Sequence, residues 1–305
     1  LERVAPDLAR ADALLAERGG TLGRPLHLLA TTTSTNDEAK AAARSGAPHG
    51  STWVAEEQSA GRGRQGRTWT AARGEALLFS VLLKLECPPA RLPLVSIVAG
   101  LAVRDATARA LPGATVGIKW PNDVVARVEG GRARETDTHK KLSGVLVEAI
   151  TAGKRVEAVV VGVGVNVHTR DFPPEIAARA TSVSLLAPHA ASPPDRAVLL
   201  ADVLAGLDRD LYIVLRRGLG LVRARLDAAD VLRGRNVTNA LQGSDLVGGA
   251  GAPPAHETGG GGSPPAHETK AGVASGIDDE GRLVVRTSEG RILRWGAGEV
   301  HLGSP

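Results

Sequence analysis

Gly61-Arg62-Gly63-Arg64-Gln65-Gly66-Arg67, with Trp69 close behind, decides how this chain is to be read. The string satisfies G-x-G-x-x-G, which as a dinucleotide fingerprint would announce a Rossmann fold. That fingerprint needs an apolar strand running into it and a helix opening on it. Glu56-Glu57-Gln58-Ser59-Ala60 precedes it instead, and the Trp69-Thr70 run that follows is broken by Gly74. The stretch therefore reads as a loop. Each guanidinium keeps its charge and grips phosphate or carboxylate with a planar fork. Each glycine lets the backbone turn, or approach a ligand, without a Cβ in the way. Three unpaired guanidinium groups do not fit an apolar core, so the loop is expected to be exposed and mobile until an anion arrives. The plainer alternative is a solvated Arg/Gly turn.

Composition bounds the rest. At 305 residues there is room for a catalytic-sized domain plus a small one. The core must be aliphatic, since the chain holds two Phe, one Tyr and four Trp. A formal charge of +4 suits acidic ligands without demanding nucleic acid. One cysteine, Cys87, excludes an intramolecular disulfide framework and a multi-Cys zinc site. No apolar run reaches the length of a membrane span and no signal peptide opens the chain, so a reducing cytoplasm is the expected home. There is no methionine, so Leu1 is not expected to be the start of translation.

Taken in order, Pro6 to Arg18 has helical spacing and Gly19-Gly20 stop it. Leu26 to Leu29 reads as a strand. A Ser/Thr/Asn cluster, Thr31 to Asn36, then leads into a helix, with Thr35 and Glu38 spaced for a capping box. The same cluster offers hydroxyls and amides to a polar ligand head. Thr52 to Ala55 is a strand that delivers Gln58 and the arginine loop; Ala76 to Leu85 is another. Leu92 to Leu111 is a helix. Lys119 and Asp123 flank a turn forced by Pro121-Asn122, which brings an ammonium near a carboxylate at a sheet end. Arg127 to His139 is a polar loop. Lys141-Leu142-Ser143-Gly144 opens a strand running to Ile150, and Glu157 to Val167 forms the next. Gly162 and Gly164 inside it mark a bulge or a ligand lying on the backbone. Asn166 at its end suits an adenine, a phosphate or a metal. Asp195 to Arg216 and Gly220 to Ala228 are helices. From Arg233 onward short strands joined by Asp/Gly/Glu turns suggest a small barrel. It is interrupted at about 243–272 by a low-complexity insert in which Pro-Pro-Ala-His-Glu-Thr occurs twice. That insert reads as a disordered loop, with a metal-binding tract as the alternative.

If the basic loop, Lys119, Lys141, Asn166 and the hydroxyl cluster meet, the site is strongly cationic, with polar donors and one acid. It would suit a nucleotide triphosphate and a second anion. Attack of a carboxylate on an α-phosphate spreads negative charge that fixed Arg, Lys and Mg2+ stabilise. A loop closed over the product would keep water from a labile acyl-adenylate.

Thr33-Ser34-Thr35-Asn36, Gly61 to Arg67 with Trp69, Lys119 to Asp123, Lys141 to Gly144, Gly162 to Asn166 and Gly276-Ile277-Asp278…Gly281…Gly298-Glu299-Val300 stand in this order. Together they resemble the biotin protein ligases over nearly the whole chain outside its first residues and the insert. The resemblance implies an α+β fold. Its catalytic domain, residues 1–232, is a mixed sheet with helices like that of class II aminoacyl-tRNA synthetases; an SH3-like barrel, residues 233–305, follows. It implies that biotin and MgATP give biotinyl-5′-AMP and pyrophosphate, and that biotin then passes to a lysine of a biotin carboxyl carrier domain of an acyl-CoA carboxylase. It places Ser34, Thr35, Asn36, Gln58 and Gly61 in the biotin pocket, with Gly144 and Gly162 at its walls. It brings Arg62 and Lys141 to both the biotin carboxylate and the α-phosphate. It gives the ATP side Arg64, Arg67, Trp69, Lys119, Asn122 and Asn166. Lys141, Arg62 and Asp123 are the catalytic residues it implies, Asp123 receiving the acceptor lysine. No direct protein cage for a metal is implied; Mg2+ is expected on the ATP phosphates near Asn166. The DNA-binding domain of the bifunctional ligase–repressors is missing, so operator binding is not expected, nor is a membrane. A monomer or weak homodimer is expected. Two rivals stand beside this reading. A lipoate ligase shares the adenylate chemistry and differs in its acyl pocket. A basic nucleic-acid-binding module would want stacking aromatics, in which the chain is poor.

Overall fold

A computed structural model describes residues 5–85, 87–128, 139–152, 155–189, 194–240 and 269–302. Most of the low-complexity insert, with both of its histidines, and nearly all of the expected loop between Arg127 and His139 lie outside the described residues. The chain divides into two compact units, Leu1–Val231 and Leu232–Pro305.

In the first unit the strands are β1 (Leu26–Leu29), β2 (Thr52–Ala55), β3 (Ala76–Leu83), β4 (Val116–Lys119), β5 (Asp123–Arg127), β6 (His139–Ala152) and β7 (Arg155–Asn166). The helices are α1 (Pro6–Ala9), α2 (Ala11–Arg18), α3 (Thr35–Arg44), α4 (Leu92–Ala110), α5 (Pro174–Ala177), α6 (Val183–Leu186), α7 (Arg196–Arg217) and α8 (Arg223–Ala229). The strands form one mixed sheet in the order β1-β2-β3-β7-β6-β5-β4. β1 and β2 run parallel, which requires a crossover, and α3 supplies it. The other neighbours are antiparallel.

Period-two alternation divides the sheet's side chains between two faces. Leu77, Phe79 and Val81 of β3 and Val161, Val163 and Val165 of β7 are buried on one face, on the side of α4 and α7. The other face carries Leu78, Ser80 and Leu82, paired in register with Gly164, Gly162 and Val160. There α3 packs Ala39 against Trp53, Leu82 and Val160, and the backbone beyond its N-terminus is left for the site.

Several local expectations are corrected. The first helix divides at Arg10 into α1 and α2. Ser34, not Thr35, is the N-cap residue of α3, and no side-chain cap bond forms there. Glu38 accepts from Thr32 Oγ1 at 2.7 Å instead of closing a capping box, because the Thr35 hydroxyl is engaged with Ser80 and Gln58. The Lys119–Asp123 turn is a hairpin whose second arm is β5, where the sequence pattern shows only a turn. The last expected helix is a 3-10 turn, Leu219–Val222, followed by α8.

The second unit has β8 (Asn236–Ala240), β9 (Thr269–Ile277), β10 (Leu283–Arg286), β11 (Ile292–Trp295) and β12 (Glu299–Leu302). They form an antiparallel sheet ordered β11-β10-β9-β8-β12 around Val237, Ala274, Leu283, Val285 and Trp295. Residues 269–272, placed in the insert by their composition, begin β9.

One buried ion pair ties helix to sheet. Arg196 at the start of α7 is 1% exposed; it donates to Glu56 at 2.7 Å, to Asp7 at 2.8 Å and to the Ala76 carbonyl at 3.3 Å. Glu56 follows β2 directly and Ala76 begins β3, so this guanidinium pins both ends of the segment that carries the arginine loop. Replacing Arg196 with Met leaves a buried carboxylate uncompensated. The variant is expected to lose about 3–5 kcal/mol in urea denaturation; an unchanged midpoint would refute that assignment.

Candidate functional site

The floor of the site is bare backbone. Gly144 of β6 pairs with Gly164 of β7, and Gly162 lies two residues along the same face. A Cβ at Gly162 would lie 2.2 Å from Asn36 Oδ1, and one at Gly164 would lie 2.5 Å from the Trp69 ring. A Cβ at Gly144 would sit 3.2 Å from both Lys141 Nζ and the same ring. Two side chains of this chain therefore lie directly on the strands. Gly61 is fixed differently: a Cβ there would meet the Trp69 carbonyl at 2.3 Å, across the base of the arginine loop.

Above Gly162 the hydroxyl cluster is closed into a network. Gln58 Oε1 accepts from the Thr35 amide at 2.7 Å and lies 3.1 Å from its hydroxyl. Ser80 Oγ stands 2.7 Å from Thr35 Oγ1 and 2.5 Å from Asn36 Oδ1. Ser34, Thr35, Asn36 and Ser80 are all buried. Asn36 Nδ2 donates to Glu148 at 2.6 Å, and Lys40, one helical turn on, donates to the other Glu148 oxygen at 2.8 Å.

Arg62 joins this network, which corrects the expectation of unpaired arginines. It donates to both oxygens of Asp37, at 2.6 and 2.7 Å, and reaches Glu148 at 3.4 Å. The Arg62 hydrogen bonds, aided by Lys40 and opposed by partial burial, pull the Asp37 pKa down to about 2. The same pairing with Asp37 raises that of Arg62. Burial pushes the Glu148 pKa up, but the hydrogen bonds from Lys40 and Asn36 outweigh it and the net shift is downward.

The second cluster gathers on Lys141. The β5–β6 register slips between Val124↔Ser143 and Val125↔Lys141, leaving Leu142 as the extra residue. Strict alternation would put Lys141 on the Ser143 face; the bulge re-aims it to the Gly144 face. Its Nζ forms an ion pair with Asp123 at 2.8 Å and stands 5.5 Å from the Trp69 ring centroid. Its backbone is gripped by Arg179 and Thr181, at 2.7 and 2.9 Å. Arg64 reaches Asn122 Oδ1 at 3.3 Å, and Asn122 is held by the Val145 carbonyl at 2.9 Å.

These two clusters meet through the loop, where Trp69 donates its backbone N–H to Gly61 at 2.9 Å. The indole Nε1 of Trp69 is buried with no hydrogen-bond partner among the described residues. Arg67 is turned back on the Arg64 carbonyl at 3.3 Å. Lys119 pairs with Asp123 across the hairpin. Asn166 is buried, and its Nδ2 donates to the Thr181 carbonyl at 3.0 Å, bracing the segment that also holds Lys141. The site has three acids, Asp37, Asp123 and Glu148, where one was expected. Ser80, Glu148 and Lys40 belong to no motif in the sequence. Ser80 and Glu148 are polar residues inside apolar strand runs, and Lys40 is four residues from Asn36 on a helix that begins earlier than its apolar pattern suggests.

Among the described residues no group of three or more His, Cys, Asp or Glu side chains is placed to hold a metal, and no helix is long and apolar enough to cross a membrane.

Residues 28–166 match the model of the biotin/lipoate A/B protein ligase family, and residues 266–303 that of the biotin protein ligase C-terminal domain. The biotin–[acetyl-CoA-carboxylase] ligase of Mycobacterium tuberculosis is 34% identical over 285 residues, covering 92% of this chain and 90% of that protein. The ligase of the same name from Paracoccus denitrificans is 32% identical over 273 residues, 87% of this chain and 95% of that one. The biotin protein ligase of Aquifex aeolicus, solved with biotin and ATP, superposes with a TM-score of 0.66 at 26% identity, covering 92% of this chain and all of that one. With sheet, second unit and motif positions all accounted for, this chain belongs to the biotin/lipoate A/B protein ligase family, as a biotin protein ligase.

Proposed function

We propose that the chain joins biotin to ATP as biotinyl-5′-AMP and then transfers biotin to a lysine of a biotin carboxyl carrier domain. The observation that carries this is the pair of cations, Arg62 and Lys141, each held in place by a carboxylate beside the glycines on which Asn36 and Trp69 rest. A ligand bound between those cations brings its own anions, and these exchange with Asp37 and Asp123. Ser34, Thr35, Asn36, Gln58 and Gly61 hold the ring end of biotin, with Gly144 and Gly162 beneath it. Trp69 offers its unpaired indole N–H to the nucleotide side, with Arg64, Arg67, Lys119 and Asn122 around the phosphates. Relatives above 30% identity are biotin ligases, which favours biotin over lipoate.

In the first step a biotin carboxylate oxygen attacks the α-phosphorus and pyrophosphate leaves. Negative charge builds on the phosphate oxygens between Lys141 and Arg62, which are pre-oriented and need no reorganisation at that moment. In the second step the acceptor amine attacks the acyl carbon and AMP leaves. A free lysine titrates near pH 10.4, roughly, so it must lose a proton first. Asp123, released from Lys141 as that lysine turns to the phosphate, receives the ammonium and takes up its proton. Mg2+, bound with ATP, would neutralise phosphate charge, and the Asn166 side-chain amide would be this chain's contribution toward it. The single cysteine, Cys87, is free, which suits a reducing cytoplasm.

Lys141→Ala is expected to slow pyrophosphate release from biotin and ATP on the order of a hundredfold or more; wild-type rates would remove Lys141 from the chemistry. Running the wild-type assay with lipoate in place of biotin tests the acyl specificity, and equal turnover of the two acids would defeat the biotin reading. Exchange of Arg62 from Asp37 to the bound adenylate should also shield the loop. Trypsin cleavage at Arg62 should slow when biotin and ATP are added together, and unchanged cleavage would count against closure.

A further inference from the structure

Arginines from three helices converge at one place on the helix side of the sheet. Arg104, Asp105 and Arg109 come from the last turns of α4, Arg209 and Asp210 from α7, and Arg225 from α8. The four arginines, Asp105 and Ala108 line a pocket of about 540 Å3, within the range of small-molecule sites. Two carboxylates fix the guanidiniums in it. Asp105 accepts from Arg104 at 3.1 Å and from Arg225 at 2.6 Å. Asp210 accepts twice from Arg209, at 2.9 and 2.7 Å, and once from Arg225, at 2.7 Å. Arg104 is also tied through Nε to the Val116 carbonyl at 3.0 Å. The pocket stands apart from the adenylation site. Ser96 of α4 holds the Pro121 carbonyl near that site, and Arg104 lies roughly 12 Å further along the helix.

Tying three helices together needs fewer charges than these. Two guanidiniums would neutralise Asp105 and Asp210, and three share them. Arg109 is a fourth, and its acid, Asp202, is shared with Arg18. Five guanidiniums against three carboxylates leave two positive charges in the network. Among the described residues, Arg104, Arg209 and Arg225 each commit two of their three guanidinium nitrogens to the protein. Nη2 of Arg104, Nη1 of Arg209 and Nε of Arg225 keep their N–H groups for something else. The carboxylates that would repel an anion lie under these forks, with the Asp105 and Asp210 side chains 14% and 8% exposed. Forks already held in place meet phosphate oxygens in pairs and lose little freedom in doing so. A phosphoryl group carries about two negative charges near neutral pH, which matches the surplus. Apart from Ala108 the lining is charged, which suits a polar body on that group.

We propose that this pocket binds a phosphate dianion, either free phosphate or the phosphoryl group of a small polar ester such as a sugar phosphate. The site uses none of the residues assigned to adenylation, and it stands whether or not biotin is the acid activated. Arg109 and Arg209, both about half exposed, reach the phosphoryl oxygens from α4 and α7. Arg104 and Arg225, held more deeply, meet them from below.

The test is calorimetric titration of the full chain, in a buffer without phosphate or nucleotide, with inorganic phosphate and separately with ribose 5-phosphate. The adenylation site is itself cationic, so three proteins are compared: the wild type, Lys141→Ala, and the double variant Arg109→Gln with Arg209→Gln. Binding is expected in the wild type and in Lys141→Ala. It should weaken roughly tenfold or more in the double variant, the range for lost hydrogen bonds to a charged group. Tighter binding of ribose 5-phosphate than of phosphate assigns the site to an ester, and equal or weaker binding assigns it to free phosphate; either supports the site. Three results would overturn the proposal: no binding of either ligand by the wild type at millimolar concentration, wild-type affinity in the double variant, or loss of binding in Lys141→Ala, which would put the anion in the adenylation site. Arg209 covers Asp210, so thermal melting checks the fold of the double variant. Should it fail to fold, Arg109→Gln alone takes its place, since Arg109 has a single 3.4 Å link to Asp202; wild-type affinity there overturns the proposal.

Discussion

Side chains can lie flat on a strand only where the strand has none of its own. That constraint, at Gly162 and Gly164, organises the site. Asn36 comes from a helix that crosses between parallel strands, and Trp69 from the far end of a basic loop, yet both rest on the same few residues of β7. Anything larger than hydrogen at either position would displace them. The penalty a glycine brings to a strand is offset by the neighbours that cover both faces, and by the long antiparallel pairing of β7 with β3 and β6.

The charges follow from the same geometry. A strongly cationic cleft without counter-ions would repel itself and resist folding. Here each cation proposed to meet substrate is held by a carboxylate: Asp37 holds Arg62 and Asp123 holds Lys141. These pairs are partly exposed, so their rupture costs far less than that of the buried Arg196–Glu56 pair, which is sealed on both sides. The weak pairs sit at the proposed site, and the strong one holds the ends of the loop.

Much of this was legible in the sequence. The long apolar runs of β3 and β7 and the spacing of α4 and α7 fixed the layers, because burial on a two-sided sheet leaves a clear pattern. The glycines in β7 pointed to something lying on the backbone, although that something includes the chain's own Asn36 and Trp69. The partners of the arginines were hidden. Asp37 looked like an ordinary first-turn acid, and Glu148 is separated from Asn36 by 112 positions, joined to it only by the register of β6 on β7. The bulge at Leu142 was equally invisible, since it is a mismatch between two strands and not a property of either. The long low-complexity stretch obscured the start of β9 because Thr269 to Gly272 have the composition of their neighbours.

The bulge on β6 has an evolutionary corollary. One residue of surplus length there separates a lysine that lies on the Gly144 face from one that faces the helices. Point changes among its neighbours can accumulate gradually, each tuning the local packing. Loss or gain of a single codon between His139 and Ser143 has no such gradual route, because it rotates Lys141 through the sheet in one step. Lineages of this enzyme should therefore vary freely in loop length while holding that short count constant.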